Sequence, residues 1–307
     1  MEGVLAGFAT IGSIIALGAV LAQLRVLDLH SQQLLSRLSF FVASPALMVT
    51  VLGNADVAEV LSKSLVASAA GVLVPGVLYV AAARFVWRKS AADTVIGTLS
   101  SVYVNAGNLG IPIASYVLGD AALVAPMLLM QLLVMQPLAL AVMDTAVTSS
   151  AFSLRRFLVR PFTNPLTVGS MVGLALAVTG ASLPGVVHDP LSLVGGMAVP
   201  AMLLAYGVSL RLGPKPGAGT SASEIGYITV LKLVVQPAAA YLVARFMLDL
   251  GATALLAVTV IAALPTAQNI FIHATRYGRA VVVARDSIFV TTMLSVPALF
   301  LIASVLA

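Results

Sequence analysis

The chain has 307 residues, of which 60% are hydrophobic and only 9% charged, and its mean hydropathy is +1.08. That balance excludes an ordinary soluble domain and makes a bilayer the expected solvent. The net charge of +5 then reads as membrane orientation, not as a nucleic-acid surface, and the absence of cysteine excludes disulfides and thiolate metal sites.

Ten apolar stretches approach or reach the ~20 residues that a spanning helix needs. They lie near 3–23, 34–53, 63–86, 94–118, 121–143, 165–183, 190–210, 225–247, 252–275 and 286–306. The opening Met1-Glu2-Gly3 lacks the basic region of a signal peptide, so the first stretch is read as a span. Connections are short, the longest running from Thr145 to Asn164 and from Leu212 to Ser223. The fold class expected is an all-α membrane protein of ten transmembrane helices.

With the N-terminus outside, the inner loops and span ends hold Arg25, Arg37, Arg84, Arg88, Lys89, Arg155, Arg156, Arg160, Arg211, Lys215, Arg276, Arg279 and Arg285. These are 13 of the 16 basic residues, and the split predicts a multi-pass protein of the cell (inner) membrane with both termini outside.

The fourth stretch is interrupted by Asn105-Ala-Gly-Asn-Leu-Gly-Ile-Pro112. Gly107, Gly110 and Pro112 disfavour a helix, and the amides of Asn105 and Asn108 are out of place in lipid. Unwound backbone survives at membrane depth only where protein or an aqueous cavity satisfies it. A second interruption, Leu264-Pro-Thr-Ala-Gln-Asn269, holds the matching place in the ninth stretch. Pro265 removes a backbone donor there, and Thr266, Gln268 and Asn269 can serve freed backbone or a ligand. Harmless kinks are the bland alternative, but kinks need no amides at matched places.

The halves, 1–150 and 151–307, look like copies. Pro75 and Tyr79 recur as Pro237 and Tyr241 at an offset of 162, while Asn108 and Tyr116 recur as Asn269 and Tyr277 at 161. Pro137 recurs as Pro297 at 160, and Pro45 as Pro200 at 155. Five spans per copy is an odd number, so the copies are expected in opposite orientation, an architecture of secondary transporters with paired broken helices. The positive ends of such half-helices suit a carboxylate.

Charge placement adds to this. All 11 acidic residues fall in loops or near span ends, so no central carboxylate marks a cation antiporter. Lys232 is the one charge plainly inside a span. It either snorkels to the interface or acts as a fixed cation, alone or paired with Asp286; Asp286 can equally be a helix N-terminal charge. Gln131 and Gln136 lie five positions apart, about 140° round an α-helix, so only one can face a ligand. Gln131 is preferred because its counterpart at offset 160 is Thr291, on the hydroxyl stripe Thr291, Thr292 and Ser295. Gln136, before Pro137, is expected to bond a loosened backbone carbonyl. His273 is either a proton carrier or a partner of a neighbouring helix, and glycine and alanine in spans 1 and 6 read as close packing.

The first interruption, followed by Tyr116, Gly119 and Asp120, resembles the corresponding segment of the auxin efflux carrier family, which includes plant PIN carriers and bacterial malonate-type carriers. Met130-Gln-Leu-Leu-Val-Met-Gln136 and Lys232-Leu-Val-Val-Gln-Pro237 are similar to its fifth and eighth spans. The resemblance covers essentially the whole chain in its compact bacterial form, without the long loop of many plant members. It implies an elevator-type carrier with crossing helices 4 and 9, a scaffold from spans 1, 2, 6 and 7, and a transport domain from spans 3–5 and 8–10. A small organic anion would bind at the crossover, among Asn105, Gly107, Asn108, Leu109, Gly110, Gln131, Pro265, Thr266, Gln268 and Asn269. Lys232, Asp286 and Thr291 are candidates for charge or coupling. Nothing points to an enzyme, since no zinc-protease, nucleophile-elbow or P-loop motif is present. No cofactor, metal or nucleic acid is expected; partners are the anion and the bilayer, while Na⁺ or H⁺ coupling and a homodimer stay open. The alternatives are a bile-acid-type sodium symporter and a membrane receptor or sensor on a carrier fold.

Overall fold

The computed structural model describes residues 2–54, 63–148, 159, 164–213 and 222–306. Arg155, Arg156, Arg160 and Lys215, which carry part of the charge asymmetry, lie outside these residues, as do Asp56 and Glu59.

The described residues form helices and no sheet. In chain order these are α1 (Glu2–Gln23), α2 (Leu29–Gly53), α3 (Lys63–Val86), α4 (Ala91–Val102), α5 (Ile111–Tyr116), α6 (Ala121–Val147), α7 (Pro165–Thr179), α8 (Gly185–Leu212), α9 (Ala222–Met247), α10 (Ala252–Ala262), α11 (Asn269–Tyr277) and α12 (Val281–Leu306). Six of them, α2, α3, α6, α8, α9 and α12, are long and apolar enough to cross a membrane. The fourth and ninth apolar stretches are each divided, into α4 and α5 and into α10 and α11.

Local chemistry sets the helix ends. The Asp28 carboxylate accepts from the Ser31 N–H at the start of α2, Ser90 Oγ from the Asp93 N–H before α4, and Asn164 Oδ1 from Leu166 and Thr167 before α7. Each satisfies donors that a helix start leaves orphaned. Pro165 occupies the first turn of α7, where its missing N–H costs nothing.

The chain forms two compact units. Unit one comprises Met1–Ser62, Gly107–Leu129 and Arg160–Gly213, and unit two Lys63–Ala106, Met130–Val159 and Pro214–Ala307. In unit one, α1 packs on α8, α7 on the second half of α2, and α5 on α1. Glycines permit these approaches. A Cβ at Gly207 would collide with the Ile15 carbonyl and one at Gly18 with the Leu204 carbonyl, while on α7 a Cβ at Gly169 or Gly173 would meet the Pro45 or Met48 carbonyl at 2.6 Å. This is the small-residue packing on which helices in lipid depend.

In unit two, α3, α10 and α12 pack around α9. Outward-facing side chains of α3, among them Leu73, Val77 and Phe85, are apolar and exposed. The helices α3 and α9 end alike. Ala82–Val86 and Val243–Met247 are each one wide turn closed by i→i+5 bonds, Trp87 N–H to Ala82 O and Leu248 N–H to Val243 O, both 3.0 Å. Arg88 (φ 50°) and Asp249 (φ 48°), which correspond at offset 161, then take the left-handed conformation that is uncommon outside glycine.

Candidate functional site

Both interruptions belong to unit two at their unwound residues, and they are bonded to each other. Val104 and Thr266 pair as two antiparallel extended residues. Asn105 N–H donates to Pro265 O at 2.8 Å, and Ala267 N–H to Tyr103 O at 3.1 Å. Each break therefore supplies the backbone partners that the other has lost, and neither needs water at that point.

Side chains from three helices and from the second break itself complete the accounting. Gln131 Nε2 donates to Val104 O at 3.0 Å. Thr291 Oγ1 accepts from Thr266 N–H at 3.1 Å while giving its own proton to Ser287 O at 2.6 Å. Thr266 Oγ1 donates to Ser100 O at 2.6 Å, and Gln236 Nε2 to Val102 O at 3.0 Å. Gln131 and Thr291, matched in sequence at offset 160, thus serve the two members of the extended pair. All of these side chains are buried, so each bond replaces one that the bilayer could not provide.

Lys232 is fully buried, and its Nζ donates to Gln236 Oε1 at 2.8 Å. The side chain is therefore turned into unit two and does not snorkel. Through Gln236 it reaches the last carbonyl of α4. Among the described residues no carboxylate lies within ion-pair distance of Nζ. Asp286, buried one helix away on α12, instead accepts from Arg285 Nε at 2.7 Å.

Three sequence expectations change. The octet is not unwound throughout: the extended residues are 103–105, and the helix resumes with one wide turn at Ala106–Gly110. Pro112 follows that turn near the start of α5, inside the resumed helix and not in the unwound segment. Consequently Asn105 stands with unit two, whereas Gly107, Asn108, Leu109 and Gly110 belong to unit one. The glutamines change roles as well. Gln131, not Gln136, holds the loosened carbonyl, and Gln136 Oε1 accepts from the Tyr103 hydroxyl at 3.1 Å. The reason is the wide turn Gln131–Met135, in which i→i+5 bonding brings residues five apart to nearly one side. The expected placement on separate faces assumed a regular α-helix. Finally, of the alternatives left open for Lys232, neither snorkelling nor a pair with Asp286 is seen: Lys232 bonds Gln236, and Asp286 bonds Arg285.

Of the remaining candidates, Pro265 contributes its carbonyl to the pair, and Gln268 and Asn269 are half-buried at the junction with α11. The sequence reading missed Tyr103 and Gln236. Both were visible as polar side chains within apolar spans, Tyr103 directly before the break and Gln236 one turn after Lys232. It also treated Glu224 as an ordinary span-end acid. Glu224 is buried and accepts from Tyr79 Oη and Lys89 Nζ, both at 2.7 Å, tying the end of α3 to the start of α9. Only long-range contact reveals that role.

Apolar membrane-length helices and two broken ones joined through a polar, lysine-containing centre define a polytopic membrane protein. The chain belongs to the membrane transport protein family, whose model matches residues 4–303 and which is the auxin efflux carrier family resembled by the first break. It is also similar to a protein of Rhizobium meliloti (strain 1021) named "Putative malonate transporter", at 27% identity over 271 residues, covering 83% of this chain and 81% of that protein.

Proposed function

We propose that this chain is a secondary carrier of a small organic anion, a carboxylate, which it moves by alternating access of the elevator type. The observation that carries the reading is Lys232: among the described residues around the two breaks, this basic side chain is fully buried and bonded to a neutral amide, with no carboxylate beside it. A buried charge without a counter-ion is costly, and an anionic solute supplies that counter-ion. The name of the Rhizobium meliloti relative points the same way.

The ten-span, inverted-repeat reading draws support from paired details: the two divided stretches, the shared endings of α3 and α9, and the positive-φ residues at offset 161. A scaffold of spans 1, 2, 6 and 7 is supported by their falling together in unit one, although Gly107–Leu129 falls there too. Unit two would then be the moving part that carries the anion. The basic residues favour both termini outside.

The test is uptake and counterflow of labelled malonate in proteoliposomes, with and without Na⁺. Saturable uptake with counterflow is expected. Asn108→Ala and Asn269→Ala should each lower uptake about tenfold or more, the effect of leaving one buried polar partner unpaired. Undiminished uptake by both variants removes the assignment of the breaks as the binding site, and non-saturating flux removes the carrier.

A further inference from the structure

Asn269 presents one atom that unit two leaves unused. Its amide hydrogen-bonds to Tyr103, and the Tyr103 hydroxyl gives its proton to Gln136 Oε1. With that proton committed, the phenol oxygen can only accept from Asn269. Nδ2 therefore faces the tyrosine, and Oδ1 faces away from it. Oδ1 is buried and accepts no hydrogen bond among the described residues. A buried acceptor without a donor has lost its hydration with nothing in return, so a partner bringing a donor is favoured. Tyr103 is itself held in place. It lies in one buried hydrophobic cluster with Ile96, Leu99 and Ile270, and its carbonyl accepts from Ala267.

We propose that Tyr103 is a positioning residue that turns Asn269 into a hydrogen-bond acceptor, so that the solute group taken by Asn269 is a donor. For the anion carrier proposed above, on which this rests, the solute then carries a carboxylate and a donor together. The mono-protonated form of a dicarboxylate fits, as does a carboxylate bearing an amide N–H. A fully ionised dicarboxylate or a carboxylate ester does not.

Malonamate and monomethyl malonate separate these cases, since they match in size and charge and only malonamate has an N–H to offer. Binding of both is measured by calorimetry on the full chain in lipid nanodiscs, beside malonate at acid and at alkaline pH to distinguish the two donor sources. Wild type should bind malonamate at least about tenfold more tightly than the ester. Tyr103→Phe should shrink that preference to within about twofold, because the Asn269 amide is then free to turn. Gln136→Leu should reverse it, because the Tyr103 proton then has only Asn269 Oδ1 to reach and Nδ2 is presented instead. This variant stands even if Tyr103→Phe does not fold. Equal affinity of wild type for the two probes, or a wild-type preference kept in Gln136→Leu, overturns the inference alone. If neither the probes nor malonate bind, the carboxylate reading itself falls and the inference with it.

Discussion

The two units differ in what their polar side chains do at the closest contacts. In unit one, α1 and α8 and α2 and α7 meet through glycines with backbone nearly touching backbone, and the buried hydroxyls of Ser39, Ser44, Thr167 and Ser170 take no hydrogen bond among the described residues. In unit two, Gln131, Gln236, Thr266 and Thr291 each hold a named backbone group of an interrupted helix. Intact helices have already satisfied their backbone, so they need only fit. A broken helix in lipid has not, and polar side chains must finish the work. Close backbone fit marks the helix contacts of unit one, and hydrogen bonds to freed backbone mark the breaks of unit two.

Gly207→Val should break the first side of that comparison most severely. A Cβ there collides with the Ile15 carbonyl and comes within 2.8 Å of the Ala19 nitrogen, both backbone atoms that cannot swing aside. Overpacking of this kind costs about 1–3 kcal/mol and occasionally more, so the variant should lose its sharp thermal transition in detergent. A melting temperature equal to wild type would mean that α1 and α8 do not depend on the contact.

Lys232→Met tests the second side. It removes the buried charge and leaves Gln236 Oε1 without its donor, a penalty of about 1–3 kcal/mol. Binding of a dicarboxylate should weaken more than that of a monocarboxylate, as read by calorimetry, while the protein stays monodisperse. Unchanged affinity for both would show that the charge serves folding only.

An effect on stability alone, without the loss of binding, is expected from Gln131→Ala and Thr291→Val, which deprive Val104 O and Thr266 N–H of their partners. Each should cost about 1–3 kcal/mol in thermal unfolding, and the double variant should depart from additivity by at least ~0.5 kcal/mol because the two served residues pair with each other. Strict additivity would uncouple the two breaks.

The smallest effect belongs to Asp28, outside the apolar core. The Ser31 N–H, and after it the Ser31 hydroxyl, hold this carboxylate below the usual range. A lowered carboxylate stabilises the fold above its ordinary value, and that contribution fades as pH falls through the lowered one. Asp28→Ala should therefore shorten protection of the first turn of α2 in hydrogen exchange near neutral pH and make no difference in strong acid. An equal difference at both pH values would exclude the cap.

Much of this was legible in sequence because lipid simplifies the problem. Apolar runs about 20 residues long are candidate spans, and Asn105 and Pro265 stood out because polar and helix-breaking residues inside such runs need a reason. The match of Gln131 with Thr291 was readable as a numerical offset, and the structure gives both residues bonds to the breaks. Which atom each one bonds was not readable. A regular helix would set Gln131 and Gln136 on separate faces, and one wide turn, with no signature in residue type, brings both to the unwound segment.

The sequence by itself determined that this is a helical membrane protein with two interruptions at matched places, since composition and period depend on neighbours along the chain. Only the tertiary structure decided that Val104 pairs with Thr266, that Lys232 turns inward to Gln236, and that Glu224 joins Tyr79 and Lys89. Thr266 and Ser100, bonded in the same network, stand 166 positions apart in the chain. A buried polar atom chooses among all groups within about 3 Å of it in space, and sequence distance sets no limit on which group that will be.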